Sequence, residues 1–155
     1  KMKKIRKIAV EQNFAAISVG KLNELNEYEL QLGPDVKIPG KVFCSTALGT
    51  TGSEFSFQSF APGTETGFLH SHKSHEELYF FLSGKGEFQV DETVFPVEEG
   101  SVVRVSPAGK RSVRNNGTPP LLMLCIQYCS NTFSQEDATD GIILKEPVKW
   151  KVSPK

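Results

Sequence analysis

The chain has no long apolar run. The longest, Leu121 to Ile126, is six residues, against the roughly 20 that a membrane-crossing helix needs, so no membrane partner is expected. It has no net charge either: 18 Lys+Arg balance 18 Asp+Glu, and no overall field draws it to nucleic acid or an anionic bilayer. A Gly-x-Gly-x-x-Gly turn after a strand is missing, as is a basic patch with interleaved aromatics, which sets aside dinucleotide and nucleic-acid binding. Five of the first seven residues are basic, yet only Ile8, Ala9 and Val10 follow before Glu11, so no export signal is expected. Cysteine is scarce and odd in number: Cys44, Cys125 and Cys129. The last two fall on one face of a strand roughly 13 Å apart, at about 3.3 Å per residue, too far to pair. Three reduced thiols in a cytoplasmic protein are expected, with a 44–125 or 44–129 bridge as the alternative.

What is present is a 155-residue chain, 38% hydrophobic and 23% charged, the length and balance of one globular domain. About eight short runs rich in Val, Phe, Leu and Ile are punctuated by Gly, Pro, Asn and Asp, the pattern of an all-β sandwich or barrel. Val42–Leu48 and Glu54–Phe60 flank Gly49-Thr50-Thr51-Gly52 and read as a hairpin,. Leu78–Leu82 and Glu87–Val90, about Ser83-Gly84-Lys85-Gly86, read as a second, and Glu87–Val90 with Val94–Val97 as a third,. Val102–Val105, the Ser106–Gly109 turn, Val113 and Leu121–Tyr128 complete the barrel.

Leu78–Leu82 and Leu121–Ile126 are apolar on both faces, so each strand is covered twice,. The second cover is another sheet, an N-terminal arm or a second subunit, and a homodimer is favoured. Residues 1–40 form that arm, because Asn23, Asn26 and the Gly33-Pro34 stop leave Leu22, Leu25 and Leu32 little helix to share,. Residues 41–130 form the barrel and 131–155 a tail. In the tail, Ser134–Asp137 reads as a capping box, Gly141–Leu144 as a strand, and Trp150 as a residue packed on a tail strand,.

All three histidines, His70, His72 and His75, fall within six residues and lead straight into Glu76 and Glu77. On a strand, His70 and His72 share a face about 6.6 Å apart and can converge on one ion. Strict alternation nominates Glu76 as the carboxylate that completes the set. The polar Lys73-Ser74-His75 stretch breaks the register, however, and Glu77 then leads Tyr79 and Phe81 along one face. His75 reads as a solvated loop residue or an additional ligand. Arg104, Arg111 and Arg114 read as outward charges, or in the case of Arg111 as an anion clamp,. Cys125 and Cys129 read as buried small hydrophobes.

Residues 62–86, PGTETGFLHSHKSHEELYFFLSGKG, resemble the first motif of the cupin superfamily: glycine, His-x-His, three or four residues, Glu, six residues, Gly. His70, His72, Glu77 and Gly84 fit it. Residues 100–116, GSVVRVSPAGKRSVRNN, are similar to the second motif, with Pro107-x-Gly109 and a closing Asn. The resemblance covers roughly residues 41–130. It implies a double-stranded β-helix (jelly-roll) barrel, commonly dimeric, with a ligand site inside.

The family's second motif supplies a third metal-binding histidine, and this chain has none after His75. Counting from Gly109 puts Ser112 in its place, and counting back from Asn115 puts Arg111 there. Two readings follow. In one, His70, His72 and Glu77 hold a divalent Fe, Mn, Ni or Zn ion with open positions, Tyr79 or an Arg orients a small molecule, and the chemistry is of dioxygenase or isomerase type. In the other, the barrel binds or senses a small anion or sugar without metal or catalysis, through Arg111 and Ser112.

Overall fold

In the computed structural model, which describes residues 2–150, strands dominate, as β-branched and aromatic residues at period two dictate. The arm comes first: β1 (Arg6–Glu11) and β2 (Phe14–Ser18) form a hairpin, a 3-10 helix spans Leu22–Glu27, and β3 (Glu29–Leu32) pairs with β4 (Val36–Pro39). The barrel follows with β5 (Lys41–Phe43), a single turn α1 (Ser45–Leu48), β6 (Glu54–Phe60), β7 (His75–Ser83), β8 (Lys85–Val90), β9 (Thr93–Glu98), β10 (Val102–Val105), β11 (Arg111–Arg114) and β12 (Leu121–Cys129). A last 3-10 helix spans Gln135–Thr139. One sheet has the order β10-β7-β12-β6-β5 and the facing sheet the order β11-β8-β9. This is the all-β jelly-roll that the family resemblance implied.

Period-two alternation divides the strands cleanly. From β7 come Tyr79 and Phe81 and from β12 Leu121 and Met123; these meet Phe88, Val97 and Val113 of the other sheet in the main core. Phe88 is fully buried, its ring 4.9 Å from Tyr79, 6.2 Å from Phe81 and stacked on Phe95 at 5.6 Å. On the outer face of the five-stranded sheet, Leu122 and Val42 are covered by Leu25 and Tyr28 of the arm, with Leu82 and Phe57 packed alongside. The arm therefore supplies the second cover for part of both doubly apolar strands.

Four expectations are corrected. The Val42–Leu48 strand stops at Phe43, because α1 intervenes; Gly49, at φ 71°, closes the turn with its N–H donated to the Ser45 carbonyl at 2.7 Å. The β5–β6 pairing itself forms. Residues 83–86 do not make a hairpin: β7 and β8 lie in different sheets and the chain turns a corner there. Gly84 is obligatory at that corner, since it has φ 87° and a Cβ would stand 2.3 Å from the Pro120 carbonyl oxygen,. Gly141–Leu144 is no strand, with Ile143 99% exposed; an apolar tetrapeptide without a ladder partner gains nothing from extension. Trp150 is 91% exposed and packs on no strand. The Ser134–Asp137 capping box is present. All three cysteines are free, and burial pushes the Cys44 thiol up to about 11.

Candidate functional site

The segment between β6 and β7 runs antiparallel beside β11 without forming a continuous strand. His70 bridges Arg111, exchanging backbone hydrogen bonds of 2.9 and 3.2 Å, and the His72 N–H donates to the Pro107 carbonyl at 2.8 Å. His70 and His72 thus stand on an extended segment held to β11 by two isolated bridges, at Glu65 and His70, rather than on the expected strand. The break at residues 73–74 restarts the register at His75, so that Glu77 faces inward with Tyr79 and Phe81. Glu76 turns outward, where it accepts hydrogen bonds from the Tyr128 hydroxyl and Arg104.

Glu77 is the hub of the site and is 4% exposed. Its Oε1 lies 3.0 Å from His72 Nε2, 3.6 Å from His70 Nε2 and 3.7 Å from Arg111 Nε, and it accepts the Tyr79 hydroxyl at 2.6 Å. Oε2 accepts the Cys125 thiol at 3.1 Å. Burial alone would raise this carboxyl, but the nearby His70 imidazole, hydrogen bonds from Tyr79 and Cys125 and the field of His72 outweigh it and hold the group down to about 2,. Glu77 is a carboxylate at any physiological pH. Burial pushes the Tyr79 hydroxyl and the Cys125 thiol up, with the Glu77 charge adding to both, so each stays protonated and donates. Burial also lowers His72, with Arg111 and His70 adding to the effect and Glu77 opposing it, which favours the neutral imidazole that a metal ion requires.

The ligand atoms of His70, His72 and Glu77 all lie within 4.8 Å of one another. That donor set, two imidazoles and an ionised carboxylate converging from one side, fits a divalent first-row ion with open positions. His75 stands outside the group: its Nδ1 lies 2.8 Å from Gln127 Oε1, and its ring is 5.9 Å from that of His72.

Arg111 occupies the position opposite the His-x-His segment and is fully buried. One of its nitrogens, Nη2, donates to the Ser106 carbonyl at 3.1 Å, whereas Nε and Nη1 have no hydrogen-bond partner; His70 Nδ1 is likewise buried and unpaired. A buried donor without an acceptor costs about 1–3 kcal/mol. Ser112 alternates to the other face of β11, although it borders the same cavity. Arg104 and Arg114 are outward charges, paired with Glu76 and Glu87. Two further residues went unrecognised in the sequence as part of the site. Cys125 is brought opposite Tyr79 by the β7–β12 register. Lys41 lies on the inner face of β5; burial lowers its ammonium, with Cys125 and Glu77 opposing. Both depend on cross-strand register, which no local pattern displays.

These groups line a cavity of about 800 Å³. Its walls include the buried Glu77, Tyr79, Arg111, Phe60 and Met123 and, at exposed or half-buried positions, Leu32, Ile38 and Phe68.

A cupin protein from Bacteroides fragilis has the same fold: the alignment covers 74% of this chain and 94% of that one at a TM-score of 0.64, with 31% identity. The Cupin domain family matches residues 56–127. The chain belongs to the cupin superfamily. Among curated relatives, an uncharacterized protein of Methanocaldococcus jannaschii is 35% identical over 69 residues, 44% of this chain and 54% of that protein. An oxalate-binding protein of Thermotoga maritima is 29% identical over 72 residues, 46% of this chain and 59% of that one. This cupin thus spans little more than half the length of the curated relatives it matches.

Proposed function

We propose that this cupin binds a divalent metal ion through His70, His72 and Glu77 and holds a small molecule in the adjoining cavity. The observation that carries this reading is the convergence of the three side chains' ligand atoms within 4.8 Å, on a carboxylate held ionised and an imidazole biased to neutrality. A bound divalent ion would supply Lewis-acid polarisation of a ligand oxygen or a site for O2. The chain's own residues do the rest. Tyr79 and Cys125 donate to the two oxygens of Glu77 and fix the plane of its carboxylate, the outer-shell role that commonly orients ligands. Both keep their protons at neutral pH, so both orient and do not act as bases. Isomerase or dioxygenase chemistry remains the reaction class for which this donor set is suited.

The test is elemental analysis of purified protein after loading with Fe, Mn, Ni or Zn and washing with a weak chelator. Close to one equivalent of a single metal, lost on His70→Ala/His72→Ala, supports the reading. No retained metal from any loading refutes it and leaves the second reading, a metal-free module for a small anion or sugar, which Arg111 favours by placing a cation where the family has a histidine.

We also propose a homodimer in the cytoplasm. Phe80 and Leu124 on the outer sheet face are only half-buried and Val102 beside them is 55% exposed; three free thiols accord with a reducing compartment,. Light scattering giving a mass of one chain would remove the dimer.

A further inference from the structure

The chemistry at the depth of the cavity differs from that at its surface. Arg111 is fully buried with Nε and Nη1 unpartnered, and the half-buried Lys41 lines the same cavity. Against these two cations stands a single carboxylate, that of Glu77, which lies 3.7 Å from Arg111 Nε and is already engaged by His72, Tyr79 and Cys125. A divalent ion would add two more positive charges to the same place. With or without metal, the bottom of the cavity lacks an anion with free acceptor oxygens. Toward the surface the character inverts. Leu32 and Phe68, 50% and 60% exposed, border the cavity with Ile38, and the buried Phe60 and Met123 add apolar wall. A volume of about 800 Å³ lies within the roughly 300–1,000 Å³ of sites for drug-sized ligands, far larger than a two-carbon diacid would fill.

We infer that the ligand is an amphipathic monocarboxylic acid, its carboxylate on the free N–H groups of Arg111 and its apolar body along Phe60 and Met123 out to Leu32, Ile38 and Phe68. This deepens the small-molecule part of the proposed function and rests on that cavity being the ligand site. Arg111 acts here as a binding residue in place of the family's third histidine, and the β3–β4 hairpin of the arm, which carries Leu32 and Ile38, sets chain-length preference.

The test is calorimetric titration with acetate, butanoate, hexanoate and octanoate, beside oxalate, hexanamide and hexyl phosphate, on chelator-washed protein and again after loading with Mn(II). Affinity is expected to rise about fourfold per added methylene and on the order of a hundredfold from butanoate to octanoate. Hexanamide and oxalate should bind far more weakly than hexanoate. Arg111→Gln should weaken hexanoate at least about tenfold while leaving hexanamide unchanged. Because Arg111 is buried and that variant risks misfolding, Leu32→Ser/Phe68→Ser, at exposed positions, gives an independent reading: octanoate weakens, acetate does not, and the mass by light scattering stays the same. A flat chain-length series, equal binding of hexanamide, tighter binding of hexyl phosphate than hexanoate, or a Leu32→Ser/Phe68→Ser effect on oligomeric mass rather than affinity would each overturn the inference. Failure of the metal reading shows instead as absent metal in the loaded sample, with the acid series intact.

Discussion

The two ends of the barrel interior are built from the same strands and behave as opposites. Along β7 the inward residues change from Glu77 to Tyr79 and Phe81 within four positions, and along β12 from Gln127 and Cys125 to Met123 and Leu121. One end is a dry aromatic cluster centred on Phe88. The other gathers His70, His72, Glu77 and Arg111 around a carboxylate. Tyr79 belongs to both, with its ring against Phe88 and its hydroxyl on Glu77. A packed end of this kind lets the polar end exist, since β11, which carries the unpaired donors of Arg111, and β7, which carries Glu77, are anchored a few residues away by burial.

The comparison breaks most sharply at Phe88. Phe88→Ala should destabilise the fold by about 3–5 kcal/mol, the range for emptying a buried aromatic site, measured as a shift of the denaturant midpoint. The metal-ligand end should respond in the opposite sense. His70→Ala/His72→Ala should abolish metal retention while changing stability by less than about 1 kcal/mol, because both rings are partly exposed,. A large stability loss with metal content unchanged would make these histidines packing residues.

Acid should expose the polar end before the aromatic one. Glu77 sits near 2 in the fold against an ordinary 4.5, so its stabilisation is complete above pH 4.5 and is lost as pH falls toward 2. For a group this buried the loss is about 3 kcal/mol. Glu77→Gln removes that part of the pH dependence, and urea unfolding of chelator-washed protein at pH 5 and pH 2.5 would show it. His72, lowered by burial, adds an earlier loss beginning below its ordinary 6.5. A wild-type curve as flat as that of the Gln variant would mean that the carboxylate gains nothing from its partners.

The same division explains what could be read from the sequence. The His-x-His phase, the acid at Glu77 and the Phe88 and Val90 alternation are local, and all were legible. Choosing Glu77 over Glu76 rested on the polar Lys73-Ser74-His75 break together with the six residues that separate Glu77 from Gly84 in the motif the chain resembles. Arg111 and Ser112 were both nominated for the missing histidine's place, and the sequence did not display that the strand register turns Arg111 and Val113 inward and Ser112 away. The corner at Gly84 was misread as a hairpin because a glycine-bounded turn looks alike whether its strands pair or part. Only the close approach of Pro120 tells them apart. Lys41 and Cys125 lie 84 residues apart and come to line one cavity with Glu77 through pairings of β5 with β6, β6 with β12 and β12 with β7.

The smallest expected effect sharpens the boundary of the site. His75 lies on the inner face of β7, two residues from Glu77 and opposite Cys129, so alternation alone would count it with the ligands. Its Nδ1 is engaged at 2.8 Å by Gln127 Oε1, and that bond holds the ring apart from the converging group. An amide oxygen can only accept, so Nδ1 carries the proton in this pairing. His75→Ala should leave metal content unchanged and shift stability by no more than about 1 kcal/mol, the worth of one partly buried hydrogen bond. Gln127→Ala should match it, since either change removes the same bond. If His75→Ala empties the site while Gln127→Ala does not, the ring itself is a ligand, and the donor set holds three histidines drawn from the first motif alone.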